Sequence, residues 1–141
     1  MTPPDVGWGM ADATPKPREL PGLTAAVDRV ECVPASDAPP HRPHKFAYHI
    51  SIHNHSLRVV TITGRKWVLT NAKGHKLVVQ GDGVVGQFPR LTPGDSFRYN
   101  SYHLVDSTST AEGAYTARDE DGETLLIRIP AFPLTVDPAS P

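Results

Sequence analysis

The chain has 141 residues, a length typical of one compact domain built around one hydrophobic core. Its 14 basic and 15 acidic side chains give a formal net charge of −1. No segment approaches the roughly 18 consecutive apolar residues of a membrane span, and the N-terminus lacks the pattern of a signal peptide. We therefore expect no membrane insertion and a cytoplasmic location.

The chain begins with a segment that is rich in Pro, Asp, Ala and Thr and has no hydrophobic periodicity. Such a composition cannot bury enough apolar surface to order itself, so residues 1–22 are predicted to be a flexible leader. The last residues, 135–141, predict a flexible tail for the same reason. A single domain is expected between them, over residues 23–134.

Short apolar runs separated by turn signals fill this domain, a pattern typical of a β-sandwich. Residues 46–54 show it most clearly, because apolar side chains alternate there with polar ones, including His49 and His53. A period of two directs the apolar set to the core and the histidines to solvent. The predicted strands lie within residues 23–33, 46–54, 59–70, 77–80, 96–103, 113–118 and 123–134, with turns at 71–74 and 119–122. No helix of ordinary length is predicted.

The best-marked motif is Gly-Asp-Gly-Val-Val-Gly at residues 81–86, called the glycine loop below. Its Gly-x-Gly-x-x-Gly spacing binds dinucleotides only where a helix follows, and Pro89 and Pro93 prevent a helix here. Closely spaced glycines can aim backbone N–H groups at an anion, with Lys73, Lys76 and Arg90 nearby, or they can simply shape a bulged turn. Both interpretations stay open at this point.

A candidate binding site follows from this loop and from the strand before it. Arg65 and Trp67 lie two residues apart on a predicted strand, so both side chains could contact a ligand if that face is open. The complete candidate set is Gly81, Asp82, Gly83, Gly86, Arg65, Trp67 and Arg90.

The basic residues concentrate in the middle of the chain. Residues 41–104 carry nine basic and two acidic side chains, whereas residues 105–141 carry two basic and seven acidic ones. This asymmetry can create an anion-attracting face or reflect basic strands paired with acidic ones, and we favour the second. Nucleic acid is disfavoured as a partner because the whole chain is slightly acidic and lacks an RNA-binding aromatic pattern.

Catalytic and metal-binding patterns are weak. The single cysteine, Cys32, excludes an internal disulfide and a cysteine-based zinc site, and its place at the end of an apolar run predicts a buried thiol. His53 and His55 could share a metal, but no carboxylate or cysteine nearby completes a set. Ser101 and His103 share a strand face without a nucleophile elbow or oxyanion loop. We therefore expect no enzymatic activity, metal or cofactor.

The order of several motifs resembles the ApaG family over roughly residues 23–134. The most specific strings are Gly-x-Gly-Val-Val-Gly and Ile-Pro-Ala-Phe, the latter at residues 129–132. The chain departs from the family pattern at Lys66, where a histidine is usual, and at residues 109–111, where a Gly-x-Met is common. The full set of matching segments is 46–54, 64–67, 81–89, 93–101, 112–115 and 129–134.

The resemblance implies an immunoglobulin- or fibronectin-III-like sandwich of about seven strands. It implies no reaction. Bacterial members are loosely associated with cobalt resistance and magnesium efflux, and similar domains in some eukaryotic F-box proteins and a polymerase-interacting protein look like protein-binding modules. We therefore expect a non-catalytic domain with a protein partner, with phosphate or pyrophosphate binding at the glycine loop as the alternative. A homo-oligomer is compatible with the sequence.

Overall fold

The computed structural model describes residues 17–136, and all regular structure in this range is β. Because this part of the chain forms no helix, it contains none that could span a membrane. The strands are β1 (Arg18–Glu19), β2 (Leu23–Val33), β3 (His44–Asn54), β4 (Val60–Asn71), β5 (Lys76–Asp82), β6 (Arg90–Leu91), β7 (Ser96–Val105), β8 (Ser109–Asp119) and β9 (Thr124–Leu134).

The strands form two sheets that pack as a sandwich. The larger sheet has the order β1-β9-β8-β4-β5, with β6 also pairing with β4, and the smaller sheet has the order β2-β3-β7. Every pairing is antiparallel except that of β1 with β9. The first, second and fifth long strands thus share one sheet and the third, fourth, sixth and seventh share the other. The fourth long strand pairs with the third, whereas in a constant-type immunoglobulin domain it lies in the sheet of the first, second and fifth. The predicted all-β sandwich of about seven strands is confirmed.

Turn chemistry connects the strands where the sequence predicted it. At residues 71–74 the N–H of Gly74 donates to the carbonyl of Asn71 at 2.9 Å, and Gly74 adopts a positive φ of 85°. The side-chain oxygen of Asn71 also accepts hydrogen bonds from two N–H groups of the turn. The turn at residues 119–122 closes in the same way, with Gly122 at a φ of 86°. Both hairpins therefore depend on a glycine in the left-handed region.

The core lies between the two sheets. As predicted, the apolar set of β3 is buried, and it packs against β4, β8 and β9. Fully burying one such large apolar side chain contributes roughly 1.5–3 kcal/mol. The largest side chains that are fully buried in the core include Trp67, Tyr115, Ile50, Ile52, Ile62, Leu125, Ile127 and Leu134.

Cys32 corrects one expectation, because its thiol is exposed rather than buried. Cys32 lies near the end of β2, the edge strand of the smaller sheet, where Val30 and Val33 are only half-buried. The apolar run that predicted burial therefore continues past the part of the strand that the other sheet covers.

The described fold begins before residue 23, inside the segment predicted to be a leader. Arg18 and Glu19 pair with β9, Leu20 is buried in the core, and the carbonyl of Gly22 accepts a hydrogen bond from the N–H of His55 at 2.7 Å. The rest of the predicted leader, residues 1–16, and most of the predicted tail, residues 137–141, lie outside the described residues. Val136 packs against the core.

Candidate functional site

The glycine loop begins where β5 ends against β4. The N–H of Gly83 donates to the carbonyl of Thr63 at 2.8 Å, and Val84 and Gln87 then exchange two backbone hydrogen bonds of 2.8 and 2.9 Å. These bonds close a tight turn whose two central residues, Val85 and Gly86, have positive φ angles of 44° and 78°. Positive φ at both central positions is the mark of a type I′ turn.

The three glycines of the loop differ in what a side chain at each position would meet. A Cβ at Gly83 would lie 2.5 Å from the carbonyl oxygen of Gln87, and Gly83 has a φ of 67°. A Cβ at Gly81 would lie 3.1 Å from the guanidinium of Arg65, whereas a Cβ at Gly86 would meet nothing within 4 Å. Gly83 is therefore required by a close backbone approach, and Gly86 by backbone conformation alone.

Arg65 holds the base of the loop from the neighbouring strand. It pairs with Gly81 in the β4–β5 register, and its Nη1 donates to the carbonyl oxygens of Asp82 at 2.9 Å and Gly83 at 3.1 Å. The structure thus brings Arg65, Gly81, Asp82 and Gly83 together, as the candidate site requires. Because the guanidinium charge faces two carbonyl oxygens, it stabilises the loop conformation directly.

Trp67 and Arg90 do not join this group. Trp67 is 1% exposed, and its ring lies 5.0 Å from that of Tyr48 and 5.8 Å from that of Phe132. Core side chains therefore cover Trp67, although it lies on the same face of the strand as Arg65. Arg90 lies on β6 and pairs with Glu120 at 3.3 Å. A ligand could reach Trp67 only by opening the core.

The ion pairs explain part of the uneven charge distribution. Arg58 and Arg90, from the basic middle of the chain, contact Asp119, Glu120 and Glu123 in and after β8. These pairs join the basic middle of the chain to its acidic end, but they run through a loop and a turn and not between facing strands.

The loop also exposes apolar side chains that the candidate set omitted. Val85 is 44% exposed at the tip of the turn, and Phe88 is 56% exposed with its ring against Gly83. A β-branched residue with positive φ is a genuine backbone outlier. No sequence signal predicts that outlier, although Val-Gly before the Phe-Pro pair marks an unusually apolar turn.

The backbone geometry gives an anion site limited support. The N–H groups of Gly83, Val84 and Gln87 all donate to carbonyl oxygens within the protein. A hollow of about 550 Å³ beside the loop is lined by basic Arg65 and Lys66 but also by acidic Asp82. Phosphate or pyrophosphate binding at the loop stays a prediction.

The histidine pair lies on the outer face of the smaller sheet. The rings of His53 and His55 stack with centroids 5.8 Å apart. Both ring nitrogens of His53 already have hydroxyl partners, Ser96 at 2.8 Å and Ser51 at 2.9 Å. Among the described residues, no group of three or more His, Cys, Asp or Glu side chains is placed to hold a metal ion.

His103 lies inside the core instead of beside a reactive serine. Its ring stacks on Tyr48 at 4.6 Å and meets Trp67 edge-on at 4.6 Å. Burial lowers the pKa of His103 to about 4, so the ring is neutral at pH 7. Half-buried Tyr99 and buried Tyr115 share a hydroxyl–hydroxyl hydrogen bond, and burial raises the pKa of both phenols.

Comparison with known proteins places this geometry in a family. The family model described as "DUF525: ApaG domain" matches residues 34–119. The ApaG proteins of Salmonella arizonae and Salmonella paratyphi B are each 37% identical to the chain over 105 residues, which is 74% of this chain and 84% of theirs. The chain belongs to the ApaG family.

Two solved structures are similar to the chain over most of its length. An X-ray structure of a Northeast Structural Genomics Consortium target has a TM-score of 0.74 and 27% identity, covering 84% of this chain and 90% of that one. A Bordetella pertussis protein solved under the name ApaA has a TM-score of 0.73 and 30% identity, covering 88% of this chain and 100% of its own. The glycine loop lies within the part of the ApaG domain that the family model matches.

Proposed function

We propose that this ApaG domain is a non-catalytic module that binds a protein partner through the tip of the glycine loop. The tip is defined by Val85 and Phe88. The observation that carries the proposal is the exposed Val85 side chain, which projects from a backbone with a φ of 44°.

Val85 is unfavourable for the folded chain by itself. A residue held in a sparsely populated backbone region costs about 1–3 kcal/mol, and glycine at the same place would avoid most of this cost. The Val85 side chain is outside the core, so it returns little of that free energy through burial. A side chain kept exposed at such a cost suggests a role in contact with another molecule.

The loop has the properties of a preformed contact surface. Its backbone is closed by the Val84–Gln87 hydrogen bonds and held by Arg65, so little conformational entropy would be lost on binding. Phe88 adds a half-exposed aromatic ring, a side chain that is enriched in protein interfaces. A protein surface with a small apolar pocket fits this tip better than a small anion does.

The cellular setting belongs to the same proposal. We place the protein in the cytoplasm, where the exposed Cys32 thiol would remain reduced. The loose association of the family with cobalt resistance and magnesium efflux would then extend to this chain as an indirect effect of partner binding.

The decisive experiment uses Val85→Gly, which removes the side chain and relieves the backbone. We expect the free energy of unfolding to stay equal or rise by about 0.5–1 kcal/mol. Quantitative capture from a lysate of the native host should nevertheless lose the partner that the parent protein enriches. Phe88→Ser should lose the same partner.

The control is Tyr102→Ser, which removes an exposed aromatic side chain from the smaller sheet. It should capture the partner as the parent does. Unchanged capture by both Val85→Gly and Phe88→Ser would show that the loop tip is not the binding surface.

A further inference from the structure

The free edges of the two sheets differ in how they are protected. At one side of the larger sheet, β1 covers part of the edge of β9. In the smaller sheet, β2 is interrupted by a register shift between Val27 and Arg29 and carries charged side chains there. Such bulges and charges are the means by which proteins prevent edge-to-edge association.

Within residues 17–136, strand β5, the other edge of the larger sheet, has neither a covering strand nor a bulge, and its charged side chains lie only at its two ends. It pairs with β4 over seven residues without a register shift, and it contains no proline. Leu77 is exposed and Val78 is 51% exposed. Within residues 17–136 no strand pairs with the outer edge of β5, whose outward backbone groups can therefore accept another strand.

The sequence of β5 is complementary to itself when reversed. The strand reads Lys-Leu-Val-Val-Gln-Gly-Asp, with its only cation at the first position and its only anion at the last. If two copies pair antiparallel about Val79, Lys76 lies directly opposite Asp82 of the partner subunit. Opposite charges in directly facing positions of an antiparallel pair stabilise that pairing.

We propose that a second copy of this chain docks along β5, antiparallel and centred on Val79, so that the two larger sheets join across a two-fold axis. In this register Val78 faces Gln80 of the partner subunit, and each dimer contains the Lys76–Asp82 pair twice. Isologous contacts of this kind use the same surface on both subunits.

Strand β7 does not offer the same match. It is also a sheet edge that pairs without a register shift and exposes Tyr102. Its sequence from Ser96 to Val105 carries a single charged residue, Arg98, and so has no pair of opposite charges at its ends. Self-complementarity therefore favours β5.

The dimer is independent of partner binding at the loop tip. The proposed contact occupies the outer edge of β5 up to Asp82, whereas Val85 and Phe88 follow it in the chain. Because the contact is a single short strand, we expect dimerisation to depend on protein concentration.

Sedimentation equilibrium of the full chain tests the proposal. The mass should rise from 15.3 kDa towards twice that value as the concentration increases to the millimolar range. Lys76→Asp and Asp82→Lys should each weaken the dimer about tenfold, because two attractive contacts become two repulsive ones. The double variant should restore the parent's dissociation constant, and a mixture of the two single variants should form a heterodimer.

Three results would overturn the proposal: a parent chain that stays monomeric, single variants that associate like the parent, or a double variant that is not restored. Thermal melting checks that each variant folds. As a measurement that needs no variant, amide hydrogen exchange of β5 should slow at high concentration, and unchanged exchange there would exclude this edge even if a dimer forms through another surface.

Discussion

At the scale of single residues, His103 shows how burial changes chemistry. The ring lies among Tyr48 and Trp67, and its Nε2 atom has no hydrogen-bond partner in the structure. A protonated ring would be costly in these surroundings, so the folded chain keeps His103 neutral. The neighbouring indole N–H of Trp67 is also buried without a partner. Protonation of His103 would therefore destabilise the core of the sandwich.

This burial predicts a loss of stability in mild acid. The unfolded chain binds a proton at His103 below about pH 6.5, whereas the folded chain does so only near its pKa of about 4. Because the unfolded state binds more protons in this window, the free energy of unfolding falls by up to about 3 kcal/mol as pH drops from 6.5 to 4. Urea unfolding of His103→Leu should show a flatter pH dependence there.

His55→Gln provides the control, because it removes a histidine that is exposed. Its stability should follow the same pH dependence as the parent. An unaltered slope in His103→Leu would mean that other groups cause the loss.

At the scale of one element, the glycine loop couples turn geometry to a close backbone contact. Gly83 and Gly86 have similar positive φ angles, 67° and 78°. They differ in space, because a Cβ meets the carbonyl oxygen of Gln87 at 2.5 Å only at position 83. Alanine substitutions at Gly83 and Gly86 therefore distinguish the free-energy cost of backbone conformation from that of a steric clash.

We expect Gly83→Ala to lower the free energy of unfolding by about 2–4 kcal/mol, since the clash adds to the backbone strain. Gly86→Ala should cost about 1 kcal/mol from strain alone. Chemical denaturation of both variants measures the difference. Equal costs would show that the loop relaxes around position 83 without penalty.

Element by element, the long strands were readable from the sequence and the short ones were not. Alternation marked β3, and Asn-Ala-Lys-Gly and Asp-Glu-Asp-Gly marked two hairpins, because period and turn chemistry are local properties. Strands β1 and β6 have two residues each, too few to show any period. Their positions depend on pairing with distant strands.

At the scale of the whole molecule, a charged cluster joins three distant segments of the chain. Glu123, in the turn just before β9, contacts Arg18 of β1 and Arg58 of the loop before β4, the latter at 2.8 Å. Arg58 also contacts Asp119 at 3.0 Å. The cluster links the beginning, middle and end of the described chain at one end of the sandwich.

The cluster predicts a second acid transition at lower pH. Hydrogen bonds from Arg18 and Arg58 hold the pKa of Glu123 at about 2, below its ordinary 4.5. The stability that Glu123 contributes is therefore present above pH 4.5 and lost as pH falls towards 2. Glu123→Gln should reduce the pH dependence of urea unfolding in that window, and salt should weaken the effect because the cluster is solvent-accessible.

Glu120→Gln is the matched control, because Glu120 pairs with Arg90 at 3.3 Å and both side chains are largely exposed. It should behave like the parent between pH 4.5 and 2. If Glu120→Gln and Glu123→Gln change the pH dependence of unfolding equally, the charged cluster stabilises the fold no more than an exposed ion pair does.

The sequence by itself determined the strand pattern, two hairpin turns and membership of the ApaG family, because these depend on periodicity, turn residues and local motifs. The tertiary structure decided which candidate residues are accessible. Trp67 and Arg65 lie on the same face of β4, yet packing buries Trp67 and leaves Arg65 in contact with the glycine loop. Burial, edge exposure and the strained φ of Val85 depend on contacts between distant segments, which no local pattern in the sequence records.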